Sequence, residues 1–280
     1  MTTTQGNGHL AGRVVVVTGA GGGFGKLIAE MAAARGAKVV LGDIDGAAAE
    51  AAAKEIGADA EAVAVDVTDL GQVQALVARA VARFGAVDVM VNNAGVMPLA
   101  FFADHAQAYG AWVRCIDINF KGVLNGICAV RDQMFEQRRG HVVNISSIYS
   151  HAGTAGSGVY SATKAAVAVL SDSLRKESQG TIKVTVVRPT GVLGTGLAAG
   201  VVNPEAAVGI VGQNQDRYME RVMAFLTGTL EGGPADVDSP EYWAIDPAFV
   251  AAEVVHAIDQ PWGVTIGDVT VRATGEDFIL

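Results

Sequence analysis

VVVVTGAGGGFGK, residues 14–26, runs from four consecutive valines into five glycines within nine residues. An unbroken β-branched run reads as a strand buried on both faces, and here it turns at once into a helix-like segment. Glycines at such a turn let backbone N–H groups approach an anion at the positive end of the following helix. Yet the loop fits neither of two common phosphate patterns. G-x-x-x-x-G-K-[ST] would need Gly in place of Ala20 and a hydroxyl in place of Leu27. G-x-G-x-x-G started at Gly19 fails at Phe24, and started at Gly21 it fails at Lys26. On its own the loop has a flexible turn as its alternative reading.

Working outward, strand-like and helix-like segments alternate. Strands are expected over 13–19, 37–45, 60–67, 87–93, 140–147, 182–189 and 264–271, with helices over 24–35, 46–56, 69–84, 104–135, 159–178 and 247–259. Most of the strands are near-continuous Val/Ile runs, as a parallel sheet covered by helices demands. The expected architecture is an α/β, Rossmann-type doubly wound parallel sheet of about seven strands with helices on both faces. Regularity breaks after Pro189. Residues 191–246 are rich in Gly, Pro, Asn and Asp, with one helix-like piece at 216–226. An unpatterned stretch of that length inside a domain is expected to be a lid over a substrate site. The 280 residues are expected to form one catalytic domain with a flexible segment at 1–11.

Composition narrows the function. Half the residues are apolar, and the net charge of −9 comes with no basic stretch, which argues against a nucleic-acid partner. No apolar run approaches the roughly 18 residues of a membrane-spanning helix. The polar start MTTTQGNGHLAGR lacks the apolar core of a secretion signal, so a cytoplasmic location is expected. Cys115 and Cys128 fall in a helix-like stretch and read as reduced core thiols. The five histidines show no ligand spacing, so no metal is expected.

Three further features carry chemistry. Asp43 ends the second strand about twenty residues beyond the loop, where a carboxylate accepts hydrogen bonds from ribose hydroxyls and repels a 2′-phosphate. No Lys or Arg follows it and Gly22 precedes Gly23, a pattern that favours NAD over NADP. Asp66, ending the third strand, could similarly meet the adenine edge; a solvated strand-end acid is the alternative reading of each. Tyr160 and Lys164 are spaced i, i+4 on a helix, so phenol and ammonium share one face. An adjacent ammonium should move the phenol pKa down from about 10 toward neutrality and make a general acid–base. Ser147 stands at the carboxyl end of the fifth strand, the edge where ligands of such sheets bind. Each has a bland alternative: a surface pair for Tyr160 and Lys164, a cap for Ser147.

Taken together and in this order, these residues resemble the short-chain dehydrogenase/reductase family from about Gly12 to the end of the chain. The family's T-G-x-x-x-G-x-G appears as Thr18 to Gly25, and its N-N-A-G as Asn92, Asn93, Ala94 and Gly95. Its catalytic Ser, Tyr, Lys and Asn match Ser147, Tyr160, Lys164 and Asn119. The resemblance implies that Asn119 binds a backbone group and water, linking Lys164 to solvent as a proton relay. It also implies a dinucleotide held by Gly19, Gly23, Phe24 and Gly25, by Asp43, Asp66 and Val67, and by Asn93, Ala94 and Gly95. Tyr160 and Lys164 would hold the nicotinamide ribose. The resemblance also implies that the nicotinamide carboxamide is held by the family's P-G-x-V-x-T after the sixth strand, here Pro189, Val192 and Thr195, though the motif is altered. Pro189 and Val192 match, but Thr190 replaces the Gly and the last Thr arrives one position late, as Thr195.

The substrate walls are expected from Val96, Met97, Tyr149 and His151, with Leu193, Leu197, Tyr218 and Val222 from the lid. These are mostly apolar and include no Arg or Lys cluster of the kind that phosphorylated or carrier-linked substrates want. An apolar secondary alcohol or its ketone, cyclic or aromatic, is therefore expected, with NAD as cofactor. The other enzyme reading is an NADPH-dependent ketone or 3-oxoacyl reductase. A reading of another class is a dinucleotide-sensing or scaffold protein without catalysis. The resemblance further implies a homotetramer.

Overall fold

The computed structural model describes residues 8–280. Seven parallel strands form one sheet in the order β3-β2-β1-β4-β5-β6-β7, which is the Rossmann-type arrangement expected. The strands are β1 (Val14–Thr18), β2 (Lys38–Asp43), β3 (Ala60–Ala64), β4 (Val89–Asn92), β5 (Gly140–Ile145), β6 (Ile182–Pro189) and β7 (Asp268–Val271). The principal helices are α1 (Gly23–Ala34), α2 (Gly46–Ile56), α3 (Leu70–Phe84), α4 (His105–Cys115), α5 (Gly122–Glu136) and α6 (Gly158–Glu177). Three more follow β6: α7 (Val208–Val211), α8 (Gln215–Leu226) and α9 (Pro247–Ile258).

The opening valines show how the sequence builds two cores. Side chains alternate across a strand, so Val15 and Val17 enter one core with Ile28 of α1, Ala49 of α2 and Val254 of α9. Val14 and Val16 enter the other with Leu76 of α3, Met134 of α5 and Leu174 of α6. All four are almost wholly buried, and each contributes roughly 1.5–3 kcal/mol of burial free energy. Local signals set the helix ends: the Asp69 carboxylate accepts from the N–H groups of Gly71 and Gln72, and Gly85 closes α3 at φ 85°.

Strand order reverses between β1 and β4, which opens a crevice at their carboxyl ends. Thr18 and the chain after Asn92 lie at that crevice, so topology alone brings the glycine loop to the N-N-A-G segment.

Four expectations need correction. The single helix over 104–135 is two helices joined by a wide π-type turn, Ile116–Lys121, where the i→i+4 pattern slips by a residue. The edge strands are shorter than expected: β3 stops at Ala64 and β7 begins at Asp268. Both are only half-buried, so apolar runs overstate them. Cys115 is a core thiol but Cys128 is exposed. Residues 1–7 of the segment expected to be flexible lie outside the described residues. The rest of that segment is packed, because Leu10 is fully buried and its N–H donates to Asp259 Oδ1 at 2.8 Å.

The segment after β6 is also more ordered than its composition suggests, with α7, α8 and several single 3-10 turns. Its ends meet: Val192 pairs with Ile245, and the Ile245 N–H donates to the Gly191 carbonyl at 2.9 Å. The segment expected to be a lid thus enters and leaves the sheet at one point. Among the described residues no helix is long and apolar enough to cross a membrane.

Candidate active site

The glycine loop is built by backbone and by what it excludes. Gly19 sits at φ 66° and Gly23 at φ 50°, where only glycine is unstrained. A Cβ on Gly25 would run into the Gly19 carbonyl oxygen, so α1 can pass this close to β1 only with glycine there. Asn93 clamps the loop from below: its Nδ2 donates to the carbonyls of Thr18 (2.9 Å) and Gly19 (3.0 Å), while its N–H donates to Thr18 Oγ1 (3.1 Å). The first turn of α1 has no side-chain cap, and nothing stands within 4 Å of a Cβ placed on Gly22. The positive helix end therefore opens onto free space.

Asp43, at the end of β2, already works in the loop. Its Oδ2 accepts from Gly21 N–H at 2.8 Å and its Oδ1 from Asp45 N–H at 2.9 Å. The Asp66 carboxylate turns back on its own segment, accepting from both N–H and hydroxyl of Thr68. Val67 is buried, and its carbonyl accepts from Asn125 Nδ2. Phe24 packs on the core beneath the loop.

On the far side of the crevice, the carboxyl ends of β4 and β5 bring the other set together. Asn119 is fully buried in the π-type turn and forms a reciprocal pair with Val96: its Oδ1 accepts from Val96 N–H and its Nδ2 donates to the Val96 carbonyl, both at 2.9 Å. The slip in helix register is what turns this side chain inward. Lys164 Nζ donates to the Ile145 carbonyl at 2.8 Å and lies 5.8 Å from the Tyr160 ring centre. Gly95 separates the two groups. A Cβ there would stand 3.3 Å from Asn119 Oδ1 and 3.6 Å from Lys164 Nζ, closing the space between them. Ser147 Oγ accepts from Tyr149 N–H at 3.3 Å, and the Tyr149 ring meets the Tyr160 ring edge-on at 5.4 Å. The structure therefore brings Ser147, Tyr160, Lys164 and Asn119 into one buried group.

Its electrostatics differ from the expectation. Burial pushes the Tyr160 phenol up, with the Ser147 hydroxyl opposing that rise, so the phenol is not depressed. Burial likewise pulls Lys164 down to about 8. Desolvation is the largest influence on both groups and disfavours charge on each, against the lowered phenol expected from the i, i+4 spacing. Near neutral pH the pair is phenol and ammonium.

The expected substrate walls separate into two sets. Val96, Met97, Tyr149 and Tyr218 pack in one apolar cluster with Tyr160, joined by Ile210 and Val211 of the lid. Leu193 lies beside Tyr218 and Trp243 in a narrow gap. Leu197 and Val222 are half-buried outside this cluster, and His151 is exposed at the end of its turn. Sequence reasoning missed Phe278 and Leu280 from the C-terminal tail, which join the same cluster. No local pattern marks them, because their contacts are long-range.

At β6, Pro189 ends the strand, Val192 packs on the core, and the Thr195 side chain lies 3.8 Å from a Cβ placed on Gly23. The late Thr195 thus sits against the glycine loop. Thr190 Oγ1 is buried with no hydrogen-bond partner. A cavity of about 350 Å³ occurs at the opposite, amino ends of the strands, lined by Arg13, Asp88, Arg139 and Trp262. Among the described residues no three His, Cys, Asp or Glu gather to hold a metal ion.

Sheet order, glycine loop and buried Ser–Tyr–Lys–Asn group together define an oxidoreductase architecture. The short chain dehydrogenase family model matches residues 13–206, and the chain belongs to the short-chain dehydrogenase/reductase family of oxidoreductases. It is 32% identical over 268 residues to a Staphylococcus saprophyticus protein described as an uncharacterized oxidoreductase, covering 94% of this chain and 97% of that one. Over 184 residues it is 41% identical to a 3-alpha-(or 20-beta)-hydroxysteroid dehydrogenase of Mycobacterium tuberculosis, covering 65% of this chain and 70% of that one. Among solved structures it is similar to a 3-ketoacyl-(acyl-carrier-protein) reductase from Brucella melitensis complexed with NADH. There the TM-score is 0.75 and the identity 26%, with 95% of this chain and 99% of that chain covered.

Proposed function

We propose that this oxidoreductase interconverts an apolar secondary alcohol, cyclic or aromatic, with its ketone, using NAD in the cytoplasm. The observation that carries the cofactor choice is Asp43. Its carboxylate is fixed beside the loop by Gly21 N–H, with no cation next to it in sequence to accept a 2′-phosphate. The residues present suit a dinucleotide. The uncapped first turn of α1 offers N–H donors to a pyrophosphate, Asp43 offers acceptors to a ribose, and the Val192 N–H and Thr195, which lies beside the glycine loop, would serve the nicotinamide carboxamide. When bound, the nicotinamide ring supplies the acceptor or donor of the hydride.

The chain's own residues do the rest. Ser147 holds the substrate oxygen, and Tyr160 exchanges its proton with that oxygen. Lys164 anchors the ribose, and Asn119, tied to the Val96 backbone, links Lys164 toward solvent. The apolar cluster around Tyr149 and Tyr160 excludes water from the reacting carbon. Because burial keeps the phenol protonated at neutral pH, alcohol oxidation should accelerate as pH rises while ketone reduction should not.

The M. tuberculosis relative's name, a hydroxysteroid dehydrogenase, supports a large apolar alcohol. We further infer a homotetramer, supported by exposed apolar residues on α4 to α6, including Tyr109, Val113, Leu124 and Val169; light scattering after size exclusion tests it. The deciding experiment measures kcat/KM for NAD and for NADP across a panel of secondary alcohols. A clear preference for NADP would overturn the cofactor assignment, and turnover confined to charged or carrier-linked substrates would overturn the substrate class.

A further inference from the structure

Near the C-terminus, Asp277 is fully buried, yet it is a carboxylate. Taking such a group out of water is costly unless partners surround it, and every partner here comes from the lid. Arg217 Nε donates to Oδ1 at 2.6 Å, Trp243 Nε1 to Oδ2 at 2.8 Å, and Arg221 Nη1 to Oδ2 at 3.2 Å. Asn214 Nδ2 donates to the Asp277 backbone carbonyl at 2.8 Å. Arg217 and Arg221 are four residues apart and share one face of α8. One carboxylate thus ties α8 to Trp243, near the two ends of the lid's second half.

Apolar packing could not do the same. No residue of α8 is fully buried, and Met219, Met223 and Leu226 are exposed. What positions the helix is its polar inner face against Asp277, together with Tyr218, whose ring lies 5.7 Å from Trp243 and 6.1 Å from Phe278. From Asp277 the tail runs back under the lid. The Ile279 N–H donates to the Ile210 carbonyl at 2.9 Å, while Phe278 and Leu280 pack into the cluster that holds Tyr149 and Tyr160.

We propose that Asp277 is a positioning residue that locks the lid to the C-terminal tail, and that Phe278, placed by this lock, is a specificity-determining wall of the substrate site. The lid cannot lift away without exposing an unpaired carboxylate and withdrawing Tyr218 from Phe278. Lid opening and tail position are therefore one motion. This rests on the substrate reading above only for Phe278; the lock itself does not need it.

The test uses the full-length protein and begins without substrate. Asp277→Asn keeps the shape and the Trp243 contact but removes the charge. Hydrogen exchange of the α8 amides should then accelerate by about tenfold or more, as loss of a charge-assisted hydrogen bond implies, with exchange in β1 and β4 unchanged. Arg217→Gln, at a half-exposed side chain, should accelerate the same amides less and serves if the first variant does not fold. Unaltered α8 exchange in the variant that folds overturns the lock. With active enzyme, Asp277→Asn should raise KM for the alcohol more than it lowers kcat, leaving the dinucleotide Kd within about twofold. Phe278→Ala should raise the kcat/KM ratio of bulky to small alcohols by about tenfold, the effect of reshaping an apolar pocket by a few methylenes. An unchanged ratio overturns the wall assignment. If the wild type turns over no alcohol with either dinucleotide, the proposed function fails, while the exchange data still decide the lock.

Discussion

The glycine loop and the segment after β6 meet where Thr195 lies against Gly23, yet they are held in place by different means. The loop is built from backbone: positive-φ glycines, a contact that excludes any Cβ at Gly25, and the Asn93 clamp. In the segment after β6, α8 is fixed by side-chain charge, through Arg217 and Arg221 on a carboxylate far away in sequence. A backbone-built site tolerates few substitutions and binds the part of the ligand that does not vary. A side-chain-built site can be re-cut residue by residue. That division suits a cofactor on one side and a substrate on the other.

The comparison can be attacked from its largest expected effect downward. Tyr160→Phe keeps the buried ring and deletes the proton path, so kcat should fall by about 10²–10⁴-fold, with dinucleotide affinity retained in a fluorescence titration. Near-wild-type turnover would mean that the proton is handled elsewhere. Asp43→Asn weakens acceptors that serve the Gly21 N–H and, as proposed, a ribose. The kcat/KM ratio of NAD to NADP should drop by about 10–100-fold, the value of hydrogen bonds to a charged group. Should the ratio stay fixed, selectivity lies outside the loop half.

Asn119→Leu strands both polar groups of Val96, and urea unfolding should register a loss of about 2 kcal/mol. A neutral result would show that the π-type turn is held by packing alone. The smallest effect concerns pH. Lys164 titrates near 8 when folded and near its ordinary 10.5 when unfolded, so between those values the unfolded chain binds more protons. Stability should therefore rise from about pH 8 toward pH 10, and Lys164→Met should flatten that rise. Above about pH 10 the buried Tyr149 and Tyr160 act in the opposite sense. Their phenols are raised in the fold, so stability falls as the unfolded tyrosines ionise.

Much of this architecture was legible in the sequence, for a physical reason. Strands buried on both faces must be continuous apolar runs, and β1, β4, β5 and β6 declared themselves that way. The half-exposed edge strands β3 and β7 carry no such demand, and their ends were misjudged. The π-type turn was hidden because one extra residue per turn hardly disturbs an apolar period. Ser147, Tyr160 and Lys164 could be picked out by their order on successive elements, and the structure gathers them with Asn119. The protonation state of Tyr160 could not be, since sequence shows the neighbouring ammonium but not the depth of burial. Asp277 and Phe278 left no signal at all, because what defines them is chain arriving from Arg217, Arg221 and Trp243.

The joined ends of the lid carry one more consequence. With Gly191 and Ile245 hydrogen-bonded to each other, everything between them hangs from the sheet as a closed loop, and the entropy of closing such a loop grows only slowly with its length. A change of length at its exposed turn, residues 227–231, should therefore cost little and leave β6 and α9 in place. The sheet thus carries the whole segment on a single paired junction, so its length is set at that exposed turn rather than by β6 or α9.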